Sequence, residues 1–305
     1  MKQSIAIHTL FPDIRMMPKG LLAAFLTATT VVSLLNITIN LLLIKVLHKL
    51  RKLHQISFRL ILYLSISDAL VGGAQLIFAI VPMILEDRKQ LMIFKLCEQF
   101  IASAIEGFSI NMILIIAVDR YICLKHRNRY HLIMTHRRAA LLTAANAVLN
   151  ILNPIGFTFA SLHGIYEIFT LFFLVLSFLI FGTVIISYIR VYLSIKNQIH
   201  NLNIDNDTTK ATGRRSSDKE FAKAMLTILA ILAMCYLPGT IAAAIDFYMI
   251  INRRPENKAF KSTMNWLYLL PYLNSSLNAV VIIVFNKEIK RKILRYFGIG
   301  RDQGN

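Results

Sequence analysis

Seven mostly apolar runs, near residues 21–47, 57–85, 91–124, 139–162, 168–195, 221–251 and 262–285, take up most of this chain. A helix needs roughly 20 apolar residues to cross the hydrocarbon core of a bilayer, and every run is long enough. Inside hydrocarbon each backbone N–H and C=O must be satisfied within its own segment, so the runs predict helices and the chain reads as all-α. The expected architecture is a seven-transmembrane helix bundle. Composition agrees, with 56% hydrophobic and 16% charged residues and a mean hydropathy of +0.58, more apolar than a soluble domain. The longest runs exceed the minimum, which predicts tilt or helix continuing past the membrane. Pro82, Pro154, Pro238 and Pro271 fall inside runs and mark expected kinks.

The formal charge of +18 does not point to nucleic acid, because the basic residues sit in short runs between apolar blocks rather than on one soluble face. They carry topological information instead. With the N-terminus outside, ten of the 34 lysines and arginines lie in outer segments and the rest face the cytosol, as the positive-inside rule requires. Residues 1–20 then form an extracellular N-terminus, 21–285 the transmembrane domain and 286–305 an amphipathic helix with a short cytoplasmic tail. The first twenty residues lack an apolar core with a small-residue cleavage site, so the first span is expected to act as its own insertion signal. Residues 196–219 are expected to be a long, mobile polar connection. Beyond Phe285, Ile289, Ile293 and Phe297 share one helical stripe among basic residues, which predicts a short helix lying on anionic inner-leaflet lipids. Three scattered cysteines, Cys97, Cys123 and Cys235, form neither a disulfide framework nor a CxxC metal site, and no disulfide is expected.

Ionisable and amide side chains inside spans are costly, so each is a functional candidate. Asp68 stands mid-way along the second run. Ser109 on the third and Asn274, Ser275 and Asn278 on the seventh supply the oxygen donors that a hard cation such as sodium, or a water, would need beside it. On the third run Gln99, Ser103, Glu106 and Ser109 recur at three- or four-residue spacing and share a face. With Tyr236, Tyr268 and Tyr272 they are the ligand-binding candidates, Glu106 and the phenols being suited to a cation through charge and ring face. Hydrogen-bonded protonation of Glu106 inside the bundle is the equal alternative.

Seven spans, Asn40 in ITINLLLI, Asp68 in LSISD, Asp119-Arg120-Tyr121, CYLP with Cys235 and Pro238, and NSSLN followed by FNKEIKRKI resemble, in that order, the rhodopsin-like (class A) G-protein-coupled receptors. Residues 117–139 are similar to the melanocortin receptors, although Phe78, Lys95 and Gln99 stand where those receptors carry ligand-binding acids. The resemblance implies a receptor in the plasma membrane that binds an extracellular ligand and activates a heterotrimeric G protein by outward movement of the sixth helix. It also implies a latch made by Asp119, Arg120 and Tyr121, with Asp218, 20 residues before Pro238, as the resting acid and Tyr188 as the active-state partner. Tyr236, Pro238 and Asn278 occupy the switch region. Sodium is the implied allosteric ion, and no other cofactor is expected.

The chain departs from the family where Tyr236 replaces the usual switch tryptophan and where Ala279 and Ile282 replace the proline and tyrosine after Asn278. These losses keep a second reading open, a receptor-like protein that is constitutively active or no longer couples. No HExxH or GxSG motif points to an enzyme, and His126, His131 and His136, spaced by five, do not converge on a helix face. No internal repeat with paired mid-membrane charges points to a transporter.

Overall fold

The structure is a computed structural model that describes residues 17–51, 53–126, 129–162, 210–252 and 258–298, together with part of the segment between 168 and 193. Its helices are α1 (Lys19–Lys49), α2 (Ile56–Ile84), α3 (Arg88–Lys125), the single turn α4 (Tyr130–Ile133), α5 (His136–Leu162), α6 (Lys210–Ile251), α7 (Lys258–Phe285) and α8 (Lys287–Tyr296). Six of them are long and apolar enough to cross a membrane among the described residues. The remaining expected span, 168–195, is described only in part, and each described residue there is helical. The chain folds as an all-α transmembrane bundle.

The helices are built inside out relative to a soluble protein. On α1 the buried stripe includes Thr29, Ser33, Asn36 and Asn40, while Val31, Leu34, Leu35 and Leu41 are exposed. In lipid there is no hydrophobic gain from helix association, so small and polar side chains face the neighbours and apolar ones face outward. Gly72 lets α2 close on α1: a Cβ there would stand 2.8 Å from the Asn36 Cβ and 2.9 Å from the Ser33 carbonyl oxygen. At this seam the Ser33 hydroxyl donates to Gln75 Oε1 (2.9 Å).

Two apolar clusters hold the end of the bundle that carries α8. The larger joins Leu60 and Leu64 of α2, Met112 and Ala117 of α3, Leu232 and Cys235 of α6 and Val281 of α7, with Tyr192 of the partly described span packed against it. The smaller joins Leu43, Val46 and Leu47 of α1 with Ala279 of α7 and Ile289 of α8. Asn286 starts α8 by accepting hydrogen bonds from the backbone N–H groups of Glu288 and Ile289, both at 3.1 Å.

Two expectations need correction. The polar connection does not run to residue 219, because α6 already begins at Lys210. A helix nucleated in the membrane extends into water at little further cost, and the polar composition concealed that continuation. The α8 stripe is also shorter than expected: Ile289 is fully buried and Ile293 packs on the bundle, whereas Phe297 is the C-cap residue and 58% exposed. The four prolines do lie inside their helices.

Candidate functional site

The acid and base that end α3 are locked together at the α8 end. Asp119 is completely buried, and its Oδ2 accepts from Arg120 Nη2 (2.6 Å), Arg120 Nε (3.0 Å) and the Ser57 hydroxyl of α2 (2.8 Å). Its Oδ1 accepts from the Tyr130 hydroxyl (2.6 Å). Four hydrogen bonds thus satisfy a carboxylate that would otherwise be costly to bury. Burial, followed by the hydrogen bond to Asp119 and its charge, pushes the Tyr130 phenol further above its usual pKa and keeps it a neutral donor. Arg120 keeps 24% of its side chain exposed, so it is held but accessible. Tyr121 is half-buried against the main core. Tyr188 lies outside the described residues, and Asp218 lies on the α6 helix with its side chain outside them.

Asp68 is the centre of a second polar group, deeper in the bundle. It is fully buried, accepts a short hydrogen bond from the Ser109 hydroxyl (2.6 Å) and a long one from Asn278 Nδ2 (3.4 Å), and has Ser275 within hydrogen-bonding reach. Asn274 is also fully buried, and neither its amide oxygen nor its amide nitrogen meets hydrogen-bond geometry. Asn40 Nδ2 ties the group to α1 by donating to the carbonyl oxygens of Asn36 (2.9 Å) and Ser275 (3.3 Å). The five residues singled out from the sequence are therefore all buried at this level, on α2, α3 and α7. No lysine or arginine is among the described partners of Asp68. A carboxylate, two hydroxyls and the buried Asn274 amide, which lies within reach of the Tyr236 hydroxyl, suit a small monovalent cation.

Above this level Glu106 of α3 hydrogen-bonds with Tyr272 of α7, and Tyr236 of α6 lies in electrostatic reach of both Glu106 and Asp68. Tyr236 thus stands between the cation group and the ligand candidates. Thr240 donates to the Tyr236 carbonyl oxygen (2.9 Å) two residues past Pro238, a pairing that bends a helix already interrupted by proline. Tyr268 is half-buried where α7 passes Gly239 of α6. Ser103 turns its hydroxyl to the Phe100 carbonyl oxygen (3.3 Å), and the Gln99 side chain lies outside the described residues. Farther toward the same end, Lys261 of α7 bridges both oxygens of Asp246 of α6, at 2.9 and 3.0 Å.

Several contributors are not apparent from sequence reasoning. Ser57 and Tyr130 lie outside the motif that they complete, and Ser276, which donates to Asn36 Oδ1, lies beside the expected cation donors. Asn146 and Asn150 form the α3–α5 seam, Asn146 donating to the Phe108 carbonyl oxygen (3.0 Å) and Asn150 to Asn146 Oδ1 (2.6 Å). The available signal was an amide at i and i+4 on one membrane helix face.

The described helices form a bundle around a buried polar core, and six of them are long and apolar enough to cross a membrane. Residues 39–163 match the family described as 7 transmembrane receptor (rhodopsin family). It is similar to the lysophosphatidic acid receptor 3 of Rattus norvegicus, Mus musculus and Homo sapiens. Each is 25% identical over 185 residues, which is 57% of this chain and 50% of the relative. The chain therefore matches about half the length of these curated relatives.

Proposed function

We propose that this chain is a plasma-membrane receptor with its N-terminus outside and its α8 end in the cytosol, which converts binding of an extracellular ligand into activation of a heterotrimeric G protein. The observation that carries the reading is the Asp119–Arg120 pair, buried on the acid side, accessible on the base side and fastened by Ser57 and Tyr130. A pair held by exchangeable hydrogen bonds makes a good switch, since a second partner can take over the base. Outward movement of α6 about the Pro238 region opens a cleft into which Arg120 turns, toward Tyr188 and the G protein. Asp218 is the resting partner on α6. Asp218→Asn is expected to raise basal nucleotide exchange; an unchanged baseline assigns that role to another acid, Glu220 being the next along the helix.

The cation group gives the resting state its ion. Asp68, Ser109, Asn274, Ser275 and Asn278 would hold sodium, whose charge offsets that of the buried carboxylate and favours the closed arrangement of α2, α3 and α7. The similarity to lysophosphatidic acid receptor 3 suggests a lysophospholipid ligand. The carboxylate of Glu106 beside Tyr272 and Tyr236 favours instead a ligand that presents a cation or hydrogen-bond donor at this depth. An anionic headgroup is better met by Lys95 or Lys261 nearer the outer end.

The test is G-protein nucleotide exchange in membranes containing the chain, first alone and then with peptides, lysophosphatidic acid and other lipids, and small cationic metabolites. Ligand-dependent exchange is the expected result. Exchange that is high without any addition and unmoved by all of them supports the constitutive alternative. Silence with confirmed surface expression contradicts coupling, as the replacements at Ala279 and Ile282 allow.

A further inference from the structure

We propose that Asn146 and Asn150 of α5 are positioning residues: they clasp the α3 turn that carries Glu106 and Ser109 and hold it in the one rotation that presents both side chains to the bundle interior. Both asparagines are buried, and the hydrogen bonds described for them run to each other and to the α3 backbone.

The clasp is a relay with a fixed direction. Asn150 Nδ2 donates to Asn146 twice, to its backbone carbonyl oxygen (2.8 Å) and to its Oδ1 (2.6 Å). With that amide oxygen engaged by Asn150, Asn146 turns its amide nitrogen to α3, where it donates to the Phe108 carbonyl oxygen (3.0 Å). A backbone carbonyl has two lone pairs, so it can accept the amide without giving up its bond within the helix. One residue earlier α3 carries a glycine. A Cβ at Gly107 would overlap the Asn150 amide oxygen and stand 3.1 Å from its amide carbon, so any other residue would displace the asparagine.

Successive residues of an α-helix turn by about 100° around its axis. Gly107 and Phe108 therefore lie at the back of the turn, opposite the side from which Glu106 and Ser109 project. In front, Glu106 hydrogen-bonds with Tyr272 of α7, and the Ser109 hydroxyl donates to Asp68 of α2 (2.6 Å). Four consecutive residues are thus held by three neighbouring helices. The tolerance is small, since a side-chain atom about 6 Å from the helix axis moves about 2 Å when the helix rotates by about 20°, enough to break a hydrogen bond. Helix association in lipid has no hydrophobic drive to set that rotation, and directional bonds at the back of the turn can set it instead.

What the turn serves, a ligand at Glu106 and an ion at Asp68, rests on the proposed function; the clasp itself does not, and its test needs neither ligand nor signalling. In membranes containing the full chain with Cys97, Cys123 and Cys235 replaced, mercuric ion links the thiols of Asp68→Cys/Ser109→Cys, and mass spectrometry of the linked peptides gives the rate. A second pair, Ser33→Cys/Gln75→Cys on the α1–α2 seam, reports the fold in general. Asn146→Ala/Asn150→Ala should slow linking of the first pair by about tenfold, the effect of losing one or two hydrogen bonds, and leave the second pair unchanged. Gly107→Ala should slow the first pair as well, and adding Asn150→Ala to it should bring no further loss, because both act on one clasp. An unchanged rate for the first pair would overturn the proposal. Equal slowing of both pairs would overturn it too, making the asparagines supports of the fold at large, and additive losses from Gly107→Ala and Asn150→Ala would rule out a shared clasp.

Discussion

Arg120→Ala is expected to reduce G-protein nucleotide exchange by about tenfold or more, the loss that follows when a contact worth about 1.4 kcal/mol or more in the active state is removed. Surface expression should stay broadly intact. The asymmetry comes from burial: the Asp119 side chain is fully enclosed, whereas that of Arg120 is 24% exposed. Losing the base leaves Asp119 with the hydroxyls of Ser57 and Tyr130, at 2.8 and 2.6 Å, so the acid still has partners and the fold keeps most of its support. The proposed active state has no substitute, because it relies on the Arg120 guanidinium to meet the G protein. A variant with unchanged exchange at matched expression would remove Arg120 from the switch, and one absent from the surface would make the pair structural instead.

Asp68→Asn should abolish the effect of sodium on the receptor. In the wild type, replacing sodium by N-methylglucamine at constant ionic strength should raise basal exchange if, as proposed, the ion favours the closed arrangement. Couplings of this kind commonly amount to about 5- to 150-fold in affinity. The asparagine variant keeps a similar shape and can still accept from Ser109, but it contributes no charge, and the neutral donors around it do not hold a monovalent cation on their own. Its exchange should be the same in both salts. A wild type indifferent to sodium would remove the ion from the account and leave Asp68, Asn274 and Asn278 as a network completed by water.

The sequence makes the candidates visible because of what they cost. A carboxylate or amide inside an apolar run is expensive, so Asp68, Glu106 and Asn274 stand out before any helix is placed. Their partners do not, because which side chains meet depends on the rotation and separation of helices far apart in the chain. Ser57 reaches Asp119 across 62 positions and Asn36 reaches the Tyr272 carbonyl oxygen across 236, and neither pairing leaves a local trace. Tyr130 leaves no trace of its role, because a tyrosine in a basic connection carries no periodic signal. The short helix α8 was legible from Ile289 and Ile293 at i and i+4.

In the proposed mechanism α6 swings away from α3 when the G protein engages. Paired spin labels at positions 126 and 219, in a variant whose three cysteines are replaced, report the distance between the end of α3 and the α6 helix by pulsed electron resonance. The account predicts that adding heterotrimeric G protein and removing nucleotide lengthens the distance by at least the rise of one helical turn, about 5 Å, and that Arg120→Ala suppresses the change. A distance that stays fixed while the G protein is demonstrably bound would contradict it.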